Sequence, residues 1–368
     1  MAKVAPEVLL FDLDGVLLSS EGYYESLRQT VRHIALSLGF SDVLLSQEDI
    51  DLFESLDITA EWDSSALCAA LLLHTAWRKN PTLSLPERPL LPRHPVHDLA
   101  APDFQAFALS LADGQGPAHR PLPAALERLL EVEPRTQAQV SLLTRLLSQP
   151  RDVESSITFQ LVQEFNLGSD LYAEVYGRPG AMGTVSLLAT RDRPTLDEGE
   201  RGRLRQWSRR PGHHMSIVTN RPSRSSASIL NTPEAEIGVR AAGMEGFPSI
   251  SSGALAEAAG LRGLEPQAFL KPNPIHMLAG LRAALGEQAE DAIRAAHALV
   301  TNGVVDASWN SLAGAQVSVF EDAPKGMRSA RAAAEALSRC GVHIKARLLG
   351  VTASPVKAAA LEAEGAVL

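Results

Sequence analysis

Asp12 and Asp14 stand two positions apart at the end of an otherwise apolar run, "VLLFDLDGVL" (8–17). Three other stretches carry comparable groups. "IVTN" (217–220) ends in Thr219 and Asn220, "KPNP" (271–274) opens with Lys271, and "VSVFED" (317–322) ends in Glu321 and Asp322. Crowded carboxylates attract a hard cation such as Mg²⁺, which keeps several waters and bridges protein carboxylates to substrate phosphate. A lysine and a hydroxyl beside them hold anionic oxygens around a transferring group. Together these groups suit chemistry on an anionic, oxygen-rich substrate.

The elements around these residues decide whether they can meet. Residues 8–13 are apolar without alternation, the pattern of a strand buried on both faces. "HHMSIVTN" (213–220), "AQVSVFED" (315–322) and "ARLLGVTAS" (346–354) form further expected strands. Helices are expected at 196–207, from "RPSRSSASIL" (221–230) onward, at 271–285 and at 325–337; Asn273 is the N-cap of the third of these, with Pro274 at its first position. Strand and helix therefore alternate through the second half, which points to a parallel sheet with crossover helices. In such sheets ligands bind beyond the carboxyl ends of the strands, where Asp12, Asp14, Thr219, Asn220, Glu321 and Asp322 all fall. Lys271 sits just upstream of a helix N-terminus, held extended by the following proline.

The motifs "FDLDGVL", "VTN", "KPNP" and "VFEDAPKGMRSA", in that order, resemble the haloacid-dehalogenase superfamily of Mg²⁺-dependent phosphotransferases. The resemblance is to the capped branch that holds phosphoglycolate-phosphatase and β-phosphoglucomutase relatives. It covers about 1–18 and 205–368. It implies an α/β, Rossmann-like core with a parallel sheet, formed by 1–18 and 196–368. A large, mainly helical cap is inserted after the first strand, at 19–195. It also implies a role for each motif residue. Asp12 is the nucleophile that forms an aspartyl-phosphate. Asp14 is the general acid/base, and Gly15 permits the bend beyond the strand. Thr219 and Asn220 bind the phosphoryl oxygens. Lys271 neutralises Asp12 and the phosphoryl group. Mg²⁺ is held by Asp12, Asp322 and the backbone carbonyl of Asp14, with Glu321 either a further ligand through water or a partner of Lys271.

The implied function is hydrolysis of a small-molecule phosphate ester, a phosphorylated metabolite, with the cap excluding bulk water. A phosphomutase would carry the same motifs. A non-catalytic metabolite-binding module would be expected to lack Asp12, Asp14 or Lys271. The chain departs from the compact family pattern in the size of its cap and in an extra segment at about 286–314. Within 19–195, helices are expected at 24–38, at 63–77 behind a Ser/Asp N-cap cluster, and at 123–132, 136–148 and 152–166. A Pro-rich surface passage is expected at 81–102 and a short strand at 183–190. Glu54, Thr59, Glu61, Trp62 and Asp63 could reach a substrate, though capping is the simpler reading. Tyr172, Tyr176 and Arg178 are better read as packing. Arg221 and Arg224 are candidates for phosphate binding.

The bulk composition agrees with a soluble, cytoplasmic protein. The 368 residues suffice for roughly two or three domains, and 45% apolar with 21% charged residues is an ordinary globular mix. A net charge of −9 leaves no basic footprint for nucleic acid. No run approaches the length of a membrane helix, and no secretory signal is evident at the start. Cys68 and Cys340 have no metal or redox spacing and are expected to be reduced.

Overall fold

Val8 and Leu10 are buried on one face of the first strand, Phe11 and Leu13 in the cluster on the other. That two-sided burial puts the strand in the middle of a sheet. A computed structural model describes residues 5–41, 43–86, 88–89, 99–112, 120–131, 135–224 and 231–368. In it β1 (Glu7–Phe11) is followed by a two-residue β2 (Leu18–Ser19) that pairs antiparallel with β3 (Arg193–Pro194). The strands β4 (His213–Thr219), β5 (Ser249–Ser251), β6 (Gln316–Glu321) and β7 (Lys345–Gly350) join β1 in a five-stranded sheet. Its order is β5-β4-β1-β6-β7, and every pairing is parallel. The fold is thus α/β and Rossmann-like, with a large helical insertion.

Helices cover both faces, as an all-parallel sheet requires. Ile275, Leu278, Ile293, Ala330 and Leu337 pack with Val8 and Leu10, whereas Ala242 and Met244 pack with Phe11, Leu13 and Ile217. Burying each such branched side chain stabilises the fold by roughly 1.5–3 kcal/mol. The helix Pro274–Ala284 starts as expected, with Asn273 Oδ1 accepting the Ile275 N–H at 2.9 Å and proline at its first turn. The segment at 286–314 holds two further helices, Ala289–Asn302 and Ala307–Ser311. The first packs on Pro274–Ala284, so the extra segment thickens one face of the sheet.

The chain divides into two units, Met1–Ser20 with Asp192–Leu368, and Glu21–Arg191. The first crossing comes two residues later than expected, and the second return four residues earlier. The pairing of Leu18 and Ser19 with Pro194 and Arg193 explains both, because it ties these residues to the sheet unit. The second unit is helical. Its longest helices, Glu21–Ser37 and Glu61–Trp77, share one apolar core through Leu27, Val31, Ile34, Leu67, Leu72 and Leu73.

Several local expectations need correction. Residues 183–190 do not form a strand; Ser186 Oγ accepts the Ala189 N–H and a short helix, Leu187–Arg191, follows. The helix Glu61–Trp77 begins behind Ala60, whose methyl group can accept no hydrogen bond, and Asp63, inside the first turn, pairs with Arg151. The helix expected at 152–166 starts only at Ile157, capped by Ser156. Residues 221–224 are not helical, and the next described helix is Glu234–Ala241; the rest of that expectation, 225–230, lies outside the described residues, as do 87 and 90–98 of the Pro-rich passage and residue 132. Both cysteines are free, and burial pushes the Cys68 thiol upward. Among the described residues no helix is long and apolar enough to cross a membrane.

Candidate active site

The sheet register sets which carboxylates meet at the strand ends. Phe11 lies opposite Ile217 on one side and Phe320 on the other, so Glu321 is level with Asp12. The Asp12 N–H donates to Phe320 O at 2.9 Å, which extends the pairing to Asp12 itself. Asp12 Oδ1 in turn accepts the Leu13 N–H at 2.8 Å. One oxygen of each of Asp12, Glu321 and Asp322 lies within 4.8 Å of the others, and all three residues are buried.

Lys271 enters this cluster from the loop before Pro274–Ala284. Its Nζ is 3.1 Å from Asp12 Oδ1 and 2.7 Å from Glu321 Oε1, and it donates to Val218 O at 2.9 Å. An ammonium has three donors, and here three oxygens surround it. Those carboxylates hold the Lys271 ammonium well above its ordinary range despite its burial. Burial pushes Asp12 up to about 6; Lys271 opposes that shift, while Asp322 and Asp14 add to it. Glu321 is pushed well up for the same main reason, burial, and then by Asp12.

Asp322 has a lysine of its own. Lys357, from the helix Pro355–Ala363 after β7, donates to Asp322 Oδ2 at 2.6 Å, and both side chains are buried. Sequence reasoning missed Lys357. The available signal was topological: it follows the carboxyl end of a strand adjacent to β6. Two glycines make room for these carboxylates. A Cβ on Gly15, whose φ is +69°, would lie 2.3 Å from Asp322 Oδ2, and one on Gly326 would lie 2.0 Å from Glu321 Oε2.

Asp14 faces different partners. Arg221 Nε is 3.0 and 2.9 Å from its two oxygens, and Nη2 is 2.6 Å from Oδ1. The same Nη2 reaches Asp192 Oδ2 at 2.8 Å, and Ser20 Oγ donates to Asp14 Oδ1 at 2.9 Å. The Arg221 and Asp192 side chains are 1% and 0% exposed, whereas Asp14 is 26% exposed, so Asp14 is the open end of a buried network. The expectation that Arg221 binds phosphate is therefore corrected: its guanidinium is committed to two aspartates. Asp192, in "TRDRPT", had no periodic or motif signal. The Asp14 carboxylate is not part of the three-carboxylate cluster, whose third member is Glu321; the metal contact expected from Asp14 is its backbone carbonyl.

Thr219 is fully buried at the end of β4, and its Oγ1 accepts the Arg221 N–H at 3.0 Å. Asn220 Oδ1 is buried with no hydrogen-bond partner. Arg224 donates its backbone N–H to Glu236 Oε1 at 3.1 Å. In the helical unit, Tyr172 and Tyr176 pack against each other, with Tyr176 also against Phe159, and Arg178 pairs with Glu154 and Val153 O. Arg151 pairs with Asp63 and lies over the Trp62 ring. These residues do structural work there.

The donor set fits a hard divalent cation. Three buried carboxylates each offer an oxygen within 4.8 Å of the others, and the absence of a Cβ at Gly15 lets the backbone lie close against Asp322. Carboxylates packed this closely resist shared ionisation unless positive charge offsets them.

No known family model matches the chain, and no curated protein does. A solved structure described as an X-ray structure of a Northeast Structural Genomics Consortium target shares the fold. It is 17% identical, with a TM-score of 0.58 over 98% of this chain and 94% of that one. At that identity the likeness is one of fold.

Proposed function

We propose that the protein is a Mg²⁺-dependent phosphatase of the haloacid-dehalogenase type, acting on a small phosphorylated metabolite through an aspartyl-phosphate. One observation carries the reading: Asp12, at the end of the central strand, shares a buried cluster with Glu321, Asp322 and Lys271. Asp12 and Asp322 are the residues that would hold Mg²⁺, which when bound offsets the crowded carboxylates and withdraws charge from phosphoryl oxygens.

The chain's own groups then divide the reaction. An Asp12 carboxylate oxygen attacks phosphorus while the bond to the ester oxygen breaks, and Asp14 gives that oxygen a proton. In the second half Asp14 takes a proton from water, which attacks the phosphorus and releases the Asp12 carboxylate. Asp14 is suited to this traffic because it is the exposed member of its network. Lys271 holds the Asp12 carboxylate in place and balances charge as the phosphoryl group arrives. Thr219 and Asn220 lie at the end of the adjacent strand as donors to phosphoryl oxygens. The free thiols fit a cytoplasmic setting.

A panel of phosphate esters, including sugar 1-phosphates, tests the reading on the purified protein with Mg²⁺ or EDTA. The expected result is phosphate release that needs Mg²⁺ and is lost in Asp12→Asn. Release that survives both treatments overturns it. Glucose 6-phosphate formed from the 1-phosphate without free phosphate would replace hydrolysis by mutase chemistry.

A further inference from the structure

The site holds a second buried lysine that the proposed reaction does not use. Lys357 Nζ lies 2.6 Å from Asp322 Oδ2, with the two side chains 6% and 10% exposed. Lys271 serves Asp12 and Glu321 at the same time. Two ammonium groups therefore face three carboxylates before any cation arrives. Asp322 is the carboxylate on which the proposed cation most depends, and its Oδ2 is already held. Gly15 closes on that same oxygen, since even a Cβ there would come within 2.3 Å. The lysine is anchored too: its helix, Pro355–Ala363, packs on Pro324–Arg339 and β7 and buries Leu361.

We infer that Lys357 is a built-in competitor of the divalent cation for Asp322 and sets the metal concentration at which the site fills. This rests on the proposed metal-dependent reading and adds a regulatory element to it. The physical reason is elementary. A divalent ion on Asp322 must either displace the ammonium or sit beside a like charge in a poorly screened interior, and either weakens binding. Once an anionic substrate is present, the same ammonium is an added favourable charge. The lysine thus makes the empty site hold its cation loosely and the loaded site hold it firmly.

The test uses full-length protein and Mn²⁺ alone, with free Mn²⁺ followed by its electron paramagnetic resonance signal. Lys357→Gln removes the charge but keeps a donor for Asp322; Lys357→Arg keeps the charge. The expected result is that Lys357→Gln binds Mn²⁺ at least about tenfold more tightly than wild type, that Lys357→Arg does not, and that Asp322→Asn removes the tight site in either background. Binding in Lys357→Gln where wild type shows none supports the inference further. Equal or weaker binding by a folded Lys357→Gln, with wild-type binding still abolished by Asp322→Asn, overturns the inference and leaves the metal site standing. No Mn²⁺ binding by any of these proteins overturns the metal reading and the inference together. If Lys357→Gln does not fold, amine labelling of wild type read by mass spectrometry decides. Labelling of Lys357 that rises with Mn²⁺ supports competition, and labelling that does not change contradicts it.

Discussion

Asp12 and Asp14 leave one strand two residues apart and enter opposite surroundings. Asp12 turns into a buried cluster with two other carboxylates and is pushed up to about 6, chiefly by burial. Asp14 turns towards a single guanidinium that grips both its oxygens, and it keeps a quarter of its side chain exposed. The first arrangement sets three carboxylates against two ammonium groups, and in the proposed reading a cation completes it. The second is already paired and open on one side. The difference teaches that two carboxylates of one strand end can be given opposite environments by their neighbours. In the proposed reaction the first is the one that attacks, and the second, positioned by a buried arginine and still accessible, is the one that exchanges a proton.

The comparison breaks most readily at Asp12. Asp12→Asn should lower phosphate release by about 10⁴-fold or more in a steady-state assay, because a nucleophile's loss is not compensated by its neighbours. Lys271→Met comes next. It strands Glu321 and Asp12 without their ammonium, so denaturant unfolding should show a loss of roughly 3–5 kcal/mol, as when one partner of a buried pair is removed. The Arg221 side sharpens the contrast. Arg221→Met takes the guanidinium away from the buried Asp192 and from Asp14, and should cost about 3 kcal/mol. Adding Asp192→Asn should return much of that stability but not the positioning of Asp14, so kcat stays low while the fold recovers.

A pH-dependent effect, modest per pH unit, is expected from a neutral group on the helix Pro274–Ala284. Burial holds His276 down to about 3, helped by Lys271 and Lys325, with its Nε2 3.2 Å from Ile250 O. The folded protein therefore keeps this ring neutral where the unfolded chain protonates it. Stability should fall as pH drops from about 6.5 towards 3, by at most about 1.4 kcal/mol per pH unit from this group. Equilibrium unfolding at several pH values should show this slope reduced in His276→Gln.

Much of this was legible in the sequence, and for a physical reason. Strands buried on both faces are written as apolar runs, so the polar residues that end them are conspicuous. Asp12, Thr219, Glu321 and Asp322 stood out in that way, and Lys271 through the helix start behind it. The partners of these residues were not legible. Lys357 and Asp192 are single charges in ordinary helix-start and linker sequence, a pattern shared with solvated surface, and only the tertiary fold buries them. Strand β5 was missed because three residues, with one apolar side chain among them, carry no periodicity. At 183–190 the apolar–polar pattern misled, because the Ser186 side chain caps a helix locally.

The central claim is that Asp12 carries the phosphoryl group. Acid-quenched protein, treated with acetyl phosphate and Mg²⁺ and then read by peptide mass spectrometry, tests it directly. The account predicts one added phosphoryl group on the peptide containing Asp12, absent with EDTA and absent in Asp12→Asn. Turnover of acetyl phosphate with no adduct on Asp12, undiminished in Asp12→Asn, would contradict it.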